Sequence, residues 1–243
     1  MTVTLYQFPV SHYCEKVRWA LDYKGIPFDT KNLLPGMHVK TIKKLAAKSS
    51  VPVIKHDGIF IQGSSQILDY LDEKFQQNSL CHDLREAEIM EWEKEADQII
   101  GPEIRRFCYH HVLDDKNITV AALATGGPWY GKMLLKKIYP QLMQKMRQLM
   151  QINDGTAEQA LETIHSYLDK LAKHMKNRTY IVGDKFSRVD LTVASLLGPL
   201  LRPVEFDQPK GVSYPLKLQT IRDEMTAKLP WVSDMYNKHR LQS

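Results

Sequence analysis

Apolar and polar residues alternate along "VTLYQF" (3–8), the two-residue period of a half-buried strand. From about Tyr13 to Lys24 the period lengthens, with Cys14, Val17 and Leu21 stepping by three and four, as a helix requires. Gly25 supplies a left-handed stop and Ile26-Pro27 a breaker. "PFDTKNL" reads as a second strand and "HVKTIKKLAA" as a short helix. "VPVIKHDGIFIQG" reads as a hairpin, two β-branched runs around the turn signal Asp57-Gly58. "SSQILDYLDEKF" (64–75) closes the series as a helix with Ile67, Leu68, Leu71 and Phe75 on one face. A βαβ unit implies a parallel strand pair with a right-handed crossover, and the hairpin adds antiparallel strands. The first 76 residues therefore predict a small α/β domain.

Residues 77–84 fall in a polar stretch without periodicity and read as a linker; residues 85–243 read as a helical domain. "LREAEIMEWEKEADQIIGPEIRRFCYHHVL" predicts one long helix bent at Gly101-Pro102. In 131–151, Leu135, Ile138, Leu142, Met146 and Leu149 form an apolar stripe, with Lys136, Lys137, Lys145 and Arg147 on a basic face. "TAEQALETIHSYLDKLAKHM" carries a third apolar stripe, with Thr156 and Gln159 as a capping box. Ser187 and Asp190 form a stronger box, flanked by Phe186 and Leu191 where a hydrophobic staple belongs. That pair is a folding signal.

Composition narrows the classes. With 43% apolar and 25% charged residues the chain is globular. No run approaches the roughly 18–20 apolar residues of a membrane span, and the opening residues lack a secretory or Arg-rich leader pattern, so a cytoplasmic location is expected. Cys14, Cys81 and Cys108 are too few and scattered for a disulfide framework or a metal site, and the side chains of His110-His111 diverge on a helix, so no metal is expected. A net charge of +5 with mixed signs is mild; the basic face of 131–151 reads as solvated, with an anionic membrane surface or nucleic acid as the sharper alternative, and neither is the expected partner.

Ser11 follows a strand and stands at the mouth of a helix, where outward-pointing amides favour an anion. On the residues alone it is either a helix cap or a hydroxyl that donates to a bound thiolate. Cys14, three residues on, faces inward and reads as core.

The ordered set of strand-Ser-x-x-Cys-helix, "GIPFD", "SSVPVI", "QGSSQILDYL" and "GDKFSRVDL" resembles the cytosolic glutathione transferase family, and "SHYCEKVRWAL" its serine-type and bacterial members. The resemblance implies a thioredoxin-like domain followed by an all-α domain, glutathione as co-substrate, a small hydrophobic electrophile and a homodimer. It implies that Ser11 holds the glutathione sulfur, with Tyr13 a lower-ranked donor. It places the Val51 backbone, before a cis Pro52, on the cysteinyl unit. Ser64 and its helix amides fall on the γ-glutamyl end, while Gly63 replaces the family's usual acidic or amide residue; Gln62 or Ser65 are candidate substitutes. His38 and Lys40 fall where a basic residue meets the glycyl carboxylate. Tyr13, Arg105, Tyr109, Trp129 and Tyr130 are candidates for the electrophile pocket, or else for packing between the domains. Two other functions stay open: a non-catalytic binding or interaction protein, and a thiol oxidoreductase or peroxidase using Cys14.

Overall fold

The computed structural model describes residues 2–81, 85–203 and 212–240. Four strands form one mixed sheet in the order β2-β1-β3-β4. Here β1 is Val3–Gln7, β2 Phe28–Asn32, β3 Val53–His56 and β4 Ile59–Gln62. β1 pairs with β2 in parallel, Val3 opposite Phe28, across helix α1 (His12–Tyr23). β3 runs antiparallel to both β1 and β4. Asp57 and Gly58 both take positive φ in the hairpin turn (50° and 82°), the conformation for which an Asp-Gly pair is suited.

α1 ends one residue before Lys24, and Gly25 takes the left-handed conformation behind it. The predicted helix at 38–47 is only one and a half turns long, α2 (His38–Ile42), because the run that follows is held by turns. α3 (Ser64–Lys74) buries Ile67, Leu68 and Leu71. The connector after it is less loose than its polar sequence suggests. Leu80 is fully buried, its amide donates to Asp72 Oδ1, and Lys24 Nζ donates to the Gln77 and Asn78 carbonyls. Residues 82–84 of the predicted linker lie outside the described residues.

The long helix predicted from Leu84 is three pieces: α4 (Glu86–Glu95), a π-helical turn (Ala96–Ile100) and α5 (Gly101–Val112). Pro102 has no N–H to give to the preceding turn, and the irregularity lies immediately upstream of it. α6 (Lys116–Leu123), α7 (Gly131–Met150) and α8 (Asp154–Met175) follow. Leu149 departs from the predicted stripe: it is 69% exposed, because α7 turns Leu135, Tyr139 and Met146 inward and in its last turn it is Met150 that packs against that cluster. The capping box of α8 sits one turn earlier than expected. Asn153 is the cap, and Thr156 is its partner at the third helical position.

α9 (Arg188–Leu201) is buried on every side except at Pro199, so its apolar sequence has no solvent face to mark. Its box is as the sequence predicts, with Ser187 N–H and Oγ both donating to Asp190 Oδ2 at 2.9 Å. Asp190 Oδ1 accepts a further bond from Ile181 N–H at 2.7 Å. α10 (Leu216–Lys228) and α11 (Trp231–His239) complete the helical half. α1 packs against α3 on one side and α9 on another, so one core runs through both halves. Among the described residues no helix is long and apolar enough to cross a membrane.

Candidate functional site

The antiparallel register places Tyr6 opposite Val53, so the chain leaving β1 and the chain entering β3 lie at the same end of the sheet. That end carries Ser11, the cap of α1, and Val51-Pro52, whose peptide bond is cis. Gln62 pairs with Val53 and Gly63 N–H donates to the Pro52 carbonyl at 3.1 Å, which brings the start of α3 to the same place. The sheet thus gathers Ser11, Val51 and Ser64 from three segments far apart in sequence.

Ser11 is half-buried, and its Oγ accepts from Cys14 N–H at a long 3.4 Å. The hydroxyl also lies beside the Cys14 thiol, a weak hydrogen-bond partner. Cys14 is fully buried; burial pushes its thiol pKa up, against the pull of Ser11 and Arg18. A protonated thiol without solvent access is no nucleophile, and this removes the oxidoreductase reading of Cys14.

The loop holding Ser11 is braced by Arg18, which the sequence reading passed over. Its Nη1 donates to Gln7 Oε1 at 2.6 Å, its Nη2 to the Pro9 carbonyl at 2.9 Å, and its Nε to Glu15 Oε2 at 2.8 Å. Lys16 was missed as well. Fully buried, it donates to Glu93 Oε1 and Asp97 Oδ2, each at 2.7 Å. Arg188 joins Glu93 from α9 at 2.7 Å. On α1, Lys16 turns to Glu93 and Asp97, whereas Glu15 and Arg18 turn to the β1–α1 loop and to Arg240.

The γ-glutamyl end differs from expectation. Gly63 sits at φ +100° as the cap of α3, and a Cβ there would collide with Gln66 Oε1. Gln62 is committed elsewhere, its amide bonded to Lys48 N–H and to the Lys48 and Ser50 carbonyls at 2.8–3.0 Å. Ser65 is committed too, donating to Asp97 Oδ2 at 2.6 Å inside the ionic cluster. Neither replaces the missing side chain. Ser64 is buried at the first position of α3, where the free amides of the helix start are available to an anion.

His38 and Lys40 both lie on α2. His38 Nδ1 accepts from Gly36 N–H, its ring meets Phe8 edge-on at 4.8 Å, and burial lowers its pKa. A neutral imidazole is a poor partner for a carboxylate, so Lys40, which is exposed, is the better cation of the two.

Tyr13 donates to the Asp97 carbonyl in the π-helical turn at 2.7 Å, and its ring end lies against Gly101. Its proton is thereby engaged between the halves, which corrects the reading of Tyr13 as a spare donor. Arg105 and Tyr109 lie one turn apart on α5, and Arg105 stands beside His12. Burial, with Arg105 beside it, holds the His12 pKa down to about 3, so this imidazole is neutral. Trp129 is 92% exposed and Tyr130 38% exposed; they stand on the surface before α7 and roof nothing. Among the described residues no cluster of His, Cys, Asp and Glu has the makings of a metal site.

The family profile described as "Glutathione S-transferase, N-terminal domain" matches residues 5–79, and "Glutathione S-transferase, C-terminal domain" matches residues 135–216. The chain belongs to the glutathione S-transferase family. Among relatives of this family, Glutathione S-transferase TCHQD of Arabidopsis thaliana is 22% identical over 205 residues, covering 81% of this chain and 76% of that protein. Glutathione S-transferase 1 of Dianthus caryophyllus is 40% identical over 79 residues, 31% of this chain and 36% of that protein. Glutathione transferase F7 from Populus trichocarpa superposes with a TM-score of 0.67 over 98% of this chain and 94% of that one, at 16% identity. A glutathione S-transferase fold therefore carries the site: a mixed four-stranded sheet domain joined to a helical one.

Proposed function

We propose that this chain is a serine-type glutathione transferase that joins the glutathione thiolate to a small hydrophobic electrophile. The observation that carries this reading is the meeting of Ser11, Val51 and Ser64 at one end of the sheet. Ser11 O–H donates to the ligand sulfur, and with the positive end of α1 it lowers the thiol pKa and raises the fraction of nucleophile. The Val51 amide and carbonyl pair with the cysteinyl backbone. Ser64 and the first amides of α3 take the γ-glutamyl carboxylate, and Lys40, exposed on α2, is the cation offered to the glycyl carboxylate. The sulfur lone pair then forms a bond to the electrophilic carbon, whose displaced pair leaves with a departing group or takes a proton. The protein supplies thiolate stabilisation and proximity, and Arg105 and Tyr109 stand on the helical side. Pairing as a two-fold homodimer belongs to the same proposal.

Gly63 favours a second reading, a binding protein that has given up conjugation, because no side chain stands there for the γ-glutamyl ammonium. Calorimetric titration with glutathione separates the two. Binding at millimolar ligand or tighter, with thiolate absorption from the bound tripeptide at neutral pH, supports the transferase. No heat at millimolar ligand decides for the binding protein.

A further inference from the structure

Charge is distributed very unevenly along this chain. Residues 30–56 and 116–153 contain twelve of its 33 Lys and Arg residues and none of its 28 Asp and Glu residues. The rest of the chain, with 21 basic and 28 acidic residues, is net acidic. The fold brings the two acid-free segments together. Asn32 Nδ2 donates to the Gly126 carbonyl at 2.9 Å, Leu34 packs against Gly127 and Gly131, and Gly36 faces Ile138. The result is one basic corner built from α2, the loop before it, and α7.

Lys40, Lys43 and Lys44 from the first segment are exposed, as are Lys132, Lys136 and Lys137 from the second. Among the described residues none of these six is in an ion pair with a carboxylate. Large apolar side chains stand in the same corner: Trp129 is 92% exposed, Met133 68% and Met37 50%. Met133 and Lys137 are four residues apart on one face of α7, and Trp129 stands in the turn just before that helix, so apolar and basic groups lie close together.

We propose that this corner docks on an anionic lipid bilayer, with the lysines at the headgroups and Trp129, Met133 and Met37 in the interfacial layer. Point-charge ammonium groups suit a diffuse negative surface, whereas phosphodiester recognition favours the planar fork of arginine, and Arg147 is the one arginine in the two segments. Indole at the tip is the side chain that headgroup interfaces accept best. Neither component suffices alone: the apolar area is small, and a charge patch without it holds only at low salt. This inference rests on the other five lysines and not on Lys40, which the transferase reading places at the glycyl carboxylate, so it is independent of that reading.

Co-sedimentation of the full chain with vesicles tests it. Phosphatidylcholine vesicles containing about 30% phosphatidylserine should carry the protein down and neutral vesicles should not, with binding weakening as salt rises. Tryptophan emission should shift to the blue on binding, and Trp129→Phe should abolish that shift. The triple variant Lys132→Glu, Lys136→Glu, Lys137→Glu should lower the partition coefficient at least about a hundredfold, since each lysine neutralised near the surface is worth about fivefold. If that variant melts early, Lys43→Glu with Lys44→Glu makes the same test from the other segment. The proposal is overturned by failure to bind anionic vesicles at low salt, by equal binding to neutral ones, or by binding that survives both sets of reversals. Capture of single-stranded RNA through these lysines, without vesicle binding, would overturn it as well and assign the corner to nucleic acid.

Discussion

Lys16 Nζ stands 2.7 Å from Glu93 Oε1, linking α1 to α4 where the lysine side chain is fully shielded from solvent and the glutamate nearly so. Removing one partner of such a pair leaves the other charge uncompensated in a low-dielectric setting, at a cost of about 3–5 kcal/mol. Lys16→Met should lower the unfolding free energy by that order, read from urea titration. Lys16→Met combined with Asp97→Asn should recover part of the loss, because Asp97 is left without its ion-pair partner in the single variant whereas Glu93 keeps Arg188. A double variant no more stable than the single one would show that the pair is not coupled.

Ser11→Ala tests the chemistry. Loss of a hydrogen bond made to the developing thiolate should lower conjugation about a hundredfold or more, while the pH at which the rate half-saturates moves upward. The 3.4 Å bond to Cys14 N–H is long, so the folding cost should stay at about 1 kcal/mol. Unchanged turnover would remove Ser11 from the mechanism.

Tyr13→Phe separates a structural hydroxyl from a catalytic one. Its bond to the Asp97 carbonyl should be worth about 1 kcal/mol in stability. The pH profile of conjugation should not move. A shifted profile would return Tyr13 to the list of sulfur donors.

At Gly63, substitution should divide affinity from stability. A side chain at φ +100° is strained, so both Gly63→Ala and Gly63→Glu should cost about 1–2 kcal/mol in thermal unfolding. Only the glutamate restores a partner for the γ-glutamyl ammonium, and glutathione titrated into that variant should bind about tenfold more tightly. Equal affinities for the two variants would place the tripeptide's amine elsewhere.

Asp190 gives the pH dependence. Burial raises its pKa to about 6, against the amides of Ile181 and Ser187, which favour the carboxylate. Between about pH 4 and pH 6 the folded chain holds a proton that the unfolded chain releases, so this contribution falls as pH rises through that window. The slope is up to about 1.4 kcal/mol per pH unit. The difference in stability between the native chain and Asp190→Asn should change with that sign across the window, and a flat difference would contradict it.

Much of this site could be read from residue order. The β1–α1 junction, the Asp57-Gly58 hairpin and the Ser187–Asp190 box follow from local rules, because each is made by residues close together in sequence. Asn153 went unnoticed because Thr156 offered the same capping chemistry three residues later. The long-range features left no local trace. Lys16 finds its partners Glu93 and Asp97 some eighty residues away, and the π-helical turn at Ala96–Ile100 matters only because Tyr13 arrives from the other half. Trp129 and Tyr130 show the opposite failure: aromatic residues suggested a pocket wall, and the fold left them on the surface.

The interlocking of Lys16, Glu93, Asp97, Ser65 and Arg188 has a consequence for how this protein can change. The charges are divided between the two halves, and Trp19 Nε1–H donates to the His239 carbonyl near the far end of the described chain. Neither half can be grafted onto a relative's counterpart without importing an unmatched ion. Chimeras cut at the connector should aggregate unless the lysine travels with its two acids, so these positions should drift together or not at all.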